Sequence, residues 1–277
     1  MTGWEPTVGL HDDVPEDVYH SHAGSLSVSG AKTLLRSPAK FDHQRQHPVR
    51  KAVFDFGHAA HSRVLGVGAE LVTFEGADAA KPKATKAWKE QDAEVRAAGG
   101  VLLTQAEHDQ VCAMADRLDT HRLASSLLAA GTPEVSAYAV DEPTGVLRRG
   151  RFDWWSPPLL VDYKTTISAD PLNLTGLYGA AAKWGYDMQA AWYTDLARDL
   201  GHDVDVFAFI FQEKEAPYEV TVAYIDDADL TEARERIRAA IDLFKACADS
   251  QHWRGYVDDD RIVRLNLTQQ TYTEETA

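Results

Sequence analysis

The chain has 277 residues, of which 44% are hydrophobic, and its formal net charge is −15 at neutral pH. This length suits one large domain with an ample buried core. The sequence has no apolar run of about 18 residues and no basic-then-apolar N-terminal signal, so we expect a cytoplasmic protein with no membrane association. Its two cysteines are too few for a disulfide framework or a four-thiolate iron–sulfur cluster.

The negative charge is unevenly distributed along the chain. Residues 1–29 contain five acidic residues and no lysine or arginine, whereas residues 30–51 contain six basic residues and one acidic residue. A basic segment in an acidic chain is compatible with a polyanion held in a local groove. A solvated helix face explains the same pattern equally well.

The N-terminal part is predicted to be an irregular arm followed by helices. Residues 1–26 show no sustained periodicity, which predicts the arm. Serine caps predict a short helix from Ser27 to Arg36 and a second helix that begins at Ser37 and Pro38. Four residues of this region offer hydroxyl or cationic donors for a terminal phosphate, although capping and surface charge account for them too: Ser29, Lys32, Arg36 and Ser37.

The segments between residues 54 and 123 are predicted to be mainly helices that support the fold. A helix is predicted over residues 54–65, with His58 and His61 one turn apart. One histidine is a candidate metal ligand, although a helical histidine is more often a partly exposed residue without that role. Thr104 and Glu107 match a capping box, which predicts a helix to about Leu123.

From Glu134 the hydrophobic period changes to two, which predicts a hairpin and a third strand. The last two strands are joined at residues 156–158, Ser-Pro-Pro, because proline cannot donate to a ladder in mid-sheet. Downstream, the pattern predicts a long helix over 177–200, strands over 205–211 and 219–225, and a helix over 229–250. An acidic tail is predicted over 256–277.

The joined strands contain the residues best suited to chemistry. Asp162 and Lys164 share one face of their strand, and Asp153 lies on the preceding strand, so two carboxylates and an amine are able to converge. Adjacent carboxylates repel unless a cation lies between them, and their oxygens suit Mg²⁺, with Mn²⁺ as the second choice. Glu134, at a strand start, is a further candidate ligand, although strand ends often hold solvated glutamates.

The order Asp153, then Asp162-x-Lys164 on the next strand, resembles the PD-(D/E)XK nuclease superfamily. Gly57-x-x-x-His61 and Gln189-x-x-x-Tyr193 are similar to two motifs of its RecB-like branch. The stretch SVSGAKTLLRSPAKF at 27–41, together with GHAAH and VDYKTT, looks most like the RecE or exonuclease VIII type of phage exonuclease. The middle acid is aspartate where many superfamily members have glutamate, which leaves a metal role intact.

This resemblance implies an α/β (α+β) fold, with a PD-(D/E)XK core in which helices flank a mixed sheet. It implies one exonuclease domain over 27–255, with a helical part (27–130) and a catalytic part (131–255). It assigns metal ligation to His61, Asp153 and Asp162, with Glu134 as a further ligand, and water activation to Lys164. Gln189 and Tyr193 would orient the lysine and the substrate, and Arg149 and Arg151 would contact phosphates.

The family comparison further implies an activity and partners. The expected activity is ATP-independent degradation of linear double-stranded DNA from 5′ ends, which leaves 3′ single strands for a RecT-like annealing protein. A homo-oligomeric ring around the DNA is expected as well. The absence of a GxxxxGK[ST] loop agrees with independence from ATP.

Three alternatives remain open. The first is a RecB-like nuclease of other polarity or with a single-stranded substrate. The second is a degenerate nuclease fold that serves as a DNA-binding scaffold, against which the intact Asp153, Asp162 and Lys164 speak. The third is an acidic binding domain in which the Asp162-x-Lys164 triplet occurs by coincidence.

Overall fold

The computed structural model describes residues 4–47, 56–76, 81–257 and 262–264 of the chain. Its strands are β1 Gly9–His11, β2 Leu26–Ser27, β3 Leu71–Thr73, β4 Val101–Leu103, β5 Thr132–Asp141, β6 Val146–Ser156, β7 Leu159–Thr166, β8 Val206–Glu213 and β9 Val220–Tyr224. Its helices are α1 Glu16–Ser21, α2 Val28–Arg36, α3 Pro38–Gln46, α4 Phe56–Leu65, α5 Lys86–Ala97, α6 Gln105–Asp119, α7 Arg122–Leu127, α8 Leu177–Trp184, α9 Tyr186–Asp199 and α10 Asp227–Ser250.

The main sheet has seven strands in the order β1-β5-β6-β7-β8-β9, and β2 pairs with β6. The β7–β8 and β2–β6 pairs are parallel and the other pairs are antiparallel. Strands β3 and β4 form a separate parallel pair. Helices flank the main sheet, which confirms the predicted mixed sheet with helices around it.

Each face of the sheet is covered by its own hydrophobic cluster. On one face α9 contributes Trp192 and Leu196, both fully buried, and α2 and α10 pack beside it. Helix α9 approaches β6 closely because Gly150 has no side chain there: a Cβ would lie 2.8 Å from Leu196 Cδ2. On the other face Ala60 of α4 and Met114 of α6 cover the β7–β9 region.

The predicted helix starts follow from side-chain caps. The Ser27 hydroxyl accepts from the Gly30 amide at the start of α2, and the Ser37 hydroxyl accepts from the Lys40 amide at the start of α3. Thr104 and Glu107 form the predicted capping box of α6. These caps satisfy amides that have no partner within the helix, which is why short polar residues locate helix starts from sequence.

The prediction of an irregular arm over 1–26 is wrong for much of its length. Residues 9–11 form β1 and pair with residues 136–138 of β5, and Leu26 and Ser27 pair with β6. Helix α1 buries Tyr19. These elements are too short to show a period, and their partners lie far away in the sequence, so tertiary pairing rather than local propensity creates them.

The single helix predicted over 177–200 is two helices. Helix α8 ends and α9 begins at Gly185, whose φ of 61° is left-handed. Glycine adopts that conformation without the steric cost that other residues meet. The hydrophobic pattern runs through both helices, so the periodicity alone did not reveal the break.

Some predictions fall on residues outside the described part of the chain. These include the basic residues Arg50 and Lys51, the first two residues of the helix predicted over 54–65, and most of the tail predicted over 256–277. Within the described residues, none of the helices combines the length and apolar character that crossing a membrane requires.

Candidate metal centre and active site

The site lies where two neighbouring strands separate. The register of β6 with β7 runs only from Trp154 to Ser156, whereas β7 stays paired with β8 through Thr166. Where the ladder stops, the Tyr163 amide donates to Asp153 Oδ2 at 3.0 Å. A side-chain carboxylate thus replaces a backbone partner, which fixes Asp153 at the mouth of the gap.

Three side chains from three elements converge on this gap. His61 of α4, Glu134 of β5 and Asp153 of β6 each offer one ligand atom, and these atoms lie within 4.8 Å of one another. His61 Nε2 lies 2.9 Å from Asp153 Oδ2, and His61 Nδ1 lies 3.4 Å from Glu134 Oε1. One imidazole ring therefore bridges two carboxylates.

This bridge changes the protonation of all three groups. Burial opposes the charged form of His61, but the carboxylates of Asp153 and Glu134 outweigh it and raise the pKa of the imidazole to about 9. Burial also opposes the charge of Asp153, yet His61 and Lys164 hold the pKa of that carboxyl below its usual range. Burial raises the pKa of Glu134. At neutral pH an imidazolium supplies positive charge between the acids.

A second group lies behind the first. The Lys164 ammonium contacts Asp162 Oδ2, and Gln189 Nε2 of α9 donates to Asp162 Oδ1 at 2.6 Å. Burial and the nearby Asp153 charge raise the pKa of Asp162. The same two aspartates raise the pKa of Lys164 although burial opposes its charge, so the lysine stays protonated. The structure thus brings Asp153, Asp162, Lys164 and Gln189 together.

One cavity of about 620 Å³ is lined by members of both groups: His61, Glu134, Asp153, Lys164 and Gln189. Asp162 is buried and contacts the last two of them. Tyr193, one turn after Gln189 on α9, lines the cavity and packs edge-on against Phe152 with ring centroids 5.4 Å apart. The N-terminal segment supplies a wall that the sequence did not predict: Glu16, Tyr19 and His20. Their aromatic and histidine content was a signal, but nothing local linked it to the site.

The two arginines predicted to contact phosphate are committed elsewhere. Arg149 is buried, and its Nη1 donates to the Ser25 carbonyl at 3.0 Å and to the Ser25 hydroxyl at 2.7 Å. The guanidinium of Arg149 thus anchors the arm, and its contact with phosphate stays a prediction. Arg151 lines the cavity, but it donates to the Val14 carbonyl and lies 3.7 Å from Glu134 Oε2.

The four candidates for a terminal phosphate have different environments. Ser37 is buried and caps α3, so it does not present its hydroxyl to a ligand. Lys32 Nζ donates to the Trp184 carbonyl at 2.7 Å. Ser29 and Arg36 are exposed on α2. The structure does not gather these residues into one phosphate site, and phosphate contact by Lys32, Ser29 and Arg36 stays a prediction.

The donor set fits a divalent cation. Two carboxylates and one imidazole are ligands that Mn²⁺ accepts readily, and the carboxylates alone suit Mg²⁺. The buried Asp162 Oδ2 accepts no hydrogen bond from the described residues, although the ammonium lies beside it. Asp162 is not part of the three-ligand group, so its metal role stays a prediction.

A mixed sheet that gathers Asp153, Asp162 and Lys164 beside a histidine defines the PD-(D/E)XK class of fold. The model of the family described as "PDDEXK-like domain of unknown function" matches residues 27–265. The chain belongs to this family. No curated protein matches the sequence.

Solved structures agree with this fold. The crystal structure of a "Putative exonuclease" from Eubacterium rectale is similar with a TM-score of 0.60 at 14% identity, over 94% of this chain and 98% of that one. A phage-related exonuclease from Haemophilus somnus 129PT is more distant, with a TM-score of 0.32 at 15% identity over 71% of this chain and 96% of that one. The likeness to the Eubacterium rectale protein, at 14% identity, shows the fold alone.

The His61 bridge predicts a pH-dependent stability of the metal-free protein. The folded pKa of about 9 lies above the ordinary value of 6.5, so the stabilisation is complete below pH 6.5 and is lost as the pH rises through 9. Between these limits the free energy of unfolding should fall by roughly 3 kcal/mol more in the wild type than in His61→Gln. Urea unfolding in EDTA at pH 6 and 9.5 measures this difference. An equal fall in the free energy of unfolding for both proteins would contradict the prediction.

Glu134 predicts an unusual order of stability among variants. Pro133 and Val135 pair with Trp154 and Phe152, but Glu134 between them has a φ of 55°. A side chain there costs about 1–2 kcal/mol relative to glycine. Glu134→Gly should therefore be more stable than Glu134→Ala by roughly 1 kcal/mol in thermal or urea unfolding. At ordinary strand positions the alanine variant is more stable than the glycine variant. The same order at position 134 would refute backbone strain at Glu134.

Proposed function

We propose that the protein is a metal-dependent, ATP-independent exodeoxyribonuclease that degrades linear double-stranded DNA from its 5′ ends. The observation that carries this proposal is the cavity lined by His61, Glu134, Asp153 and Lys164. The buried Asp162 contacts the lysine of this lining. Membership of a PDDEXK-like family supports a nuclease. The direction and the double-stranded substrate rest on the likeness of its motifs to the RecE type.

His61, Glu134 and Asp153 would hold the divalent cation, Mg²⁺ or Mn²⁺, and Asp162 would be a further ligand. A cation held there lowers the pKa of a bound water and offsets the negative charge that develops on the phosphoryl oxygens. Because His61 binds a cation only as the neutral imidazole, binding must release its proton. The carboxylate of Asp153 stays ionised throughout, since its pKa lies below the ordinary value.

Lys164 acts as a charged donor in this scheme. Its pKa is raised by Asp162 and Asp153, so it holds its proton at neutral pH and does not accept one from water. Its ammonium instead orients the attacking water and donates to the phosphoryl oxygen. Gln189 fixes Asp162 through the 2.6 Å hydrogen bond, which in turn fixes the lysine. Tyr193 closes the cavity beside them.

The wider role follows the same likeness and forms part of the proposal. The 3′ single strands would pass to a RecT-like annealing protein for phage-type recombination in the bacterial cytoplasm. The chain would act as a homo-oligomeric ring, with the basic residues of 30–51 towards the DNA and the acidic remainder outside. The charge distribution supports this arrangement, since a net charge of −15 otherwise repels a polyanion.

The test is digestion of linear duplex DNA labelled at its 5′ or 3′ ends, with Mg²⁺, Mn²⁺ or EDTA. Release of 5′ label as mononucleotides, only with metal and without ATP, is the expected result. Loss of 3′ label first would indicate the opposite polarity, and cutting of single strands alone would indicate another RecB-like substrate. DNA binding without cleavage under either metal would indicate a scaffold. Asp153→Asn should abolish both metal binding and cleavage.

A further inference from the structure

An apolar surface lies next to the site and has no partner among the described residues. It consists of the loop 167–176 and helix α8, and we call it the α8 surface. Its side chains are far more exposed than apolar residues usually are: Ile167 is 96% exposed, Leu172 87%, Leu174 74%, Tyr178 57% and Trp184 58%. Contiguous exposed apolar groups of this kind mark binding sites.

Helix α8 is apolar without being buried. Its sequence, LYGAAAKW, contains one charged residue, and Leu177 alone of its eight residues is buried. A helix that covers a core would bury a stripe of its apolar residues. The α8 helix is instead held at its ends, by Leu177 in the core and by the Gly185 junction with α9.

The α8 surface connects the two elements that carry Lys164 and Gln189, β7 and α9. The loop follows β7 directly, so Ile167 comes three residues after Lys164. At the other end, the residue after the Gly185 junction, Tyr186, has its ring 5.9 Å from Lys164 Nζ. Both ends of the α8 surface thus join segments close to Lys164, so a strand whose phosphate lies at this lysine would pass beside the surface.

Positive charge surrounds the aromatic end of this surface. Lys183 Nζ lies 5.2 Å from the centre of the Trp184 ring, and Lys32 donates to the Trp184 carbonyl. Burial first, and then the charge of Lys164, lower the pKa of Lys32 to about 8. The two lysines at Trp184 would attract an anionic ligand to this end of the surface in a chain whose net charge is −15.

We propose that the α8 surface binds unpaired bases of a DNA strand next to the scissile phosphate, with Tyr178 and Trp184 as stacking platforms. The combination of exposed aromatic rings with lysines is the arrangement that holds single-stranded nucleic acid without sequence preference. An apolar protein partner would account for Ile167 and Leu172, but it would leave the lysines at Trp184 without a counter-charge.

This proposal rests on the proposed nuclease function and adds a substrate preference to it. A duplex end must lose base pairs before its bases reach Tyr178 and Trp184. Ends with a few unpaired nucleotides should therefore be engaged more readily than blunt ends. The α8 surface would supply part of the unpairing free energy through stacking.

The test measures binding in EDTA, so that it does not depend on cleavage. The probes are a fluorescent oligothymidylate and an abasic oligonucleotide of the same length. Trp184→Ala and Tyr178→Ala should each weaken binding of oligothymidylate by roughly 5- to 100-fold and change binding of the abasic strand less than about twofold. Tyr224→Ala is the matched control, because this tyrosine is 73% exposed on β9 and lies outside the α8 surface.

Several outcomes would overturn the proposal. Unchanged affinity for oligothymidylate in both variants excludes stacking. An equal loss of affinity for oligothymidylate and for the abasic strand would show that the surface binds the backbone charge and not the bases. If sedimentation velocity shows that the variants lose self-association while they bind oligothymidylate normally, the surface is an interface between copies. A wild type that binds through Trp184 but cuts no DNA with either metal would refute the proposed function and leave this surface in place. Unchanged melting temperatures ensure that the exposed substitutions leave the fold intact.

Discussion

Lys164→Ala is expected to slow cleavage of linear duplex DNA by about 10²–10⁴-fold. The ammonium lies against Asp162 and faces the cavity that contains Asp153. Its loss removes the donor nearest the developing phosphoryl charge, whereas His61, Glu134 and Asp153 keep their positions. Cation affinity should therefore persist and even rise, because a positive charge next to the ligands has been removed.

The pair of measurements separates catalysis from assembly of the site. Single-turnover digestion of end-labelled duplex gives the rate, and calorimetric titration with Mn²⁺ gives the affinity. Lys245→Ala is the matched control, since that lysine pairs with Asp249 on the exposed face of α10. A Lys164→Ala enzyme with wild-type rate would remove the lysine from the mechanism, and one without Mn²⁺ binding would make it structural.

Trp192→Ala is expected to have the largest effect on stability, a loss of about 3–5 kcal/mol in the free energy of unfolding. Trp192 is fully buried between α9 and the sheet, and its indole donates to the Arg149 carbonyl at 2.9 Å. Alanine leaves both a cavity and an unpaired carbonyl. Because Gln189 and Tyr193 lie on the same helix, activity should fall with stability.

The matched control is Trp184→Ala, which removes the same side chain from a position that is 58% exposed. Its free energy of unfolding should change by no more than about 0.5 kcal/mol. Urea titrations of both variants give the comparison. Similar losses for the two substitutions would contradict the assignment of Trp192 to the core and of Trp184 to the surface.

Features with a local cause were predictable from the sequence. The starts of α2, α3 and α6 followed from Ser27, Ser37 and Thr104, because a cap acts within a single turn. The period of two gave β5, β6 and β7, and the alternation of faces placed Asp162 and Lys164 together. The grouping of His61 with Asp153 required the likeness to a known family.

Features with a distant cause were not predictable. Arg149 shares a face with Arg151, yet its guanidinium is taken by Ser25, which no local pattern links to it. Glu134 has a left-handed backbone although glutamate has no preference for it, and its carboxylate lies beside His61 of a distant helix. The break at Gly185 interrupts a hydrophobic pattern that continues on both sides.

The pairing of β1 with β5 has a consequence for synthesis of the chain. Gly9 leaves the ribosome long before its partner Tyr138 exists, so the arm is made first and docks late. Until then the outer edge of the ten-residue β5 has open amides and carbonyls that another chain is able to bind. Strand β1 covers residues 136–138 of this edge, so an N-terminal fusion that delays its docking would lengthen the time for which they are exposed.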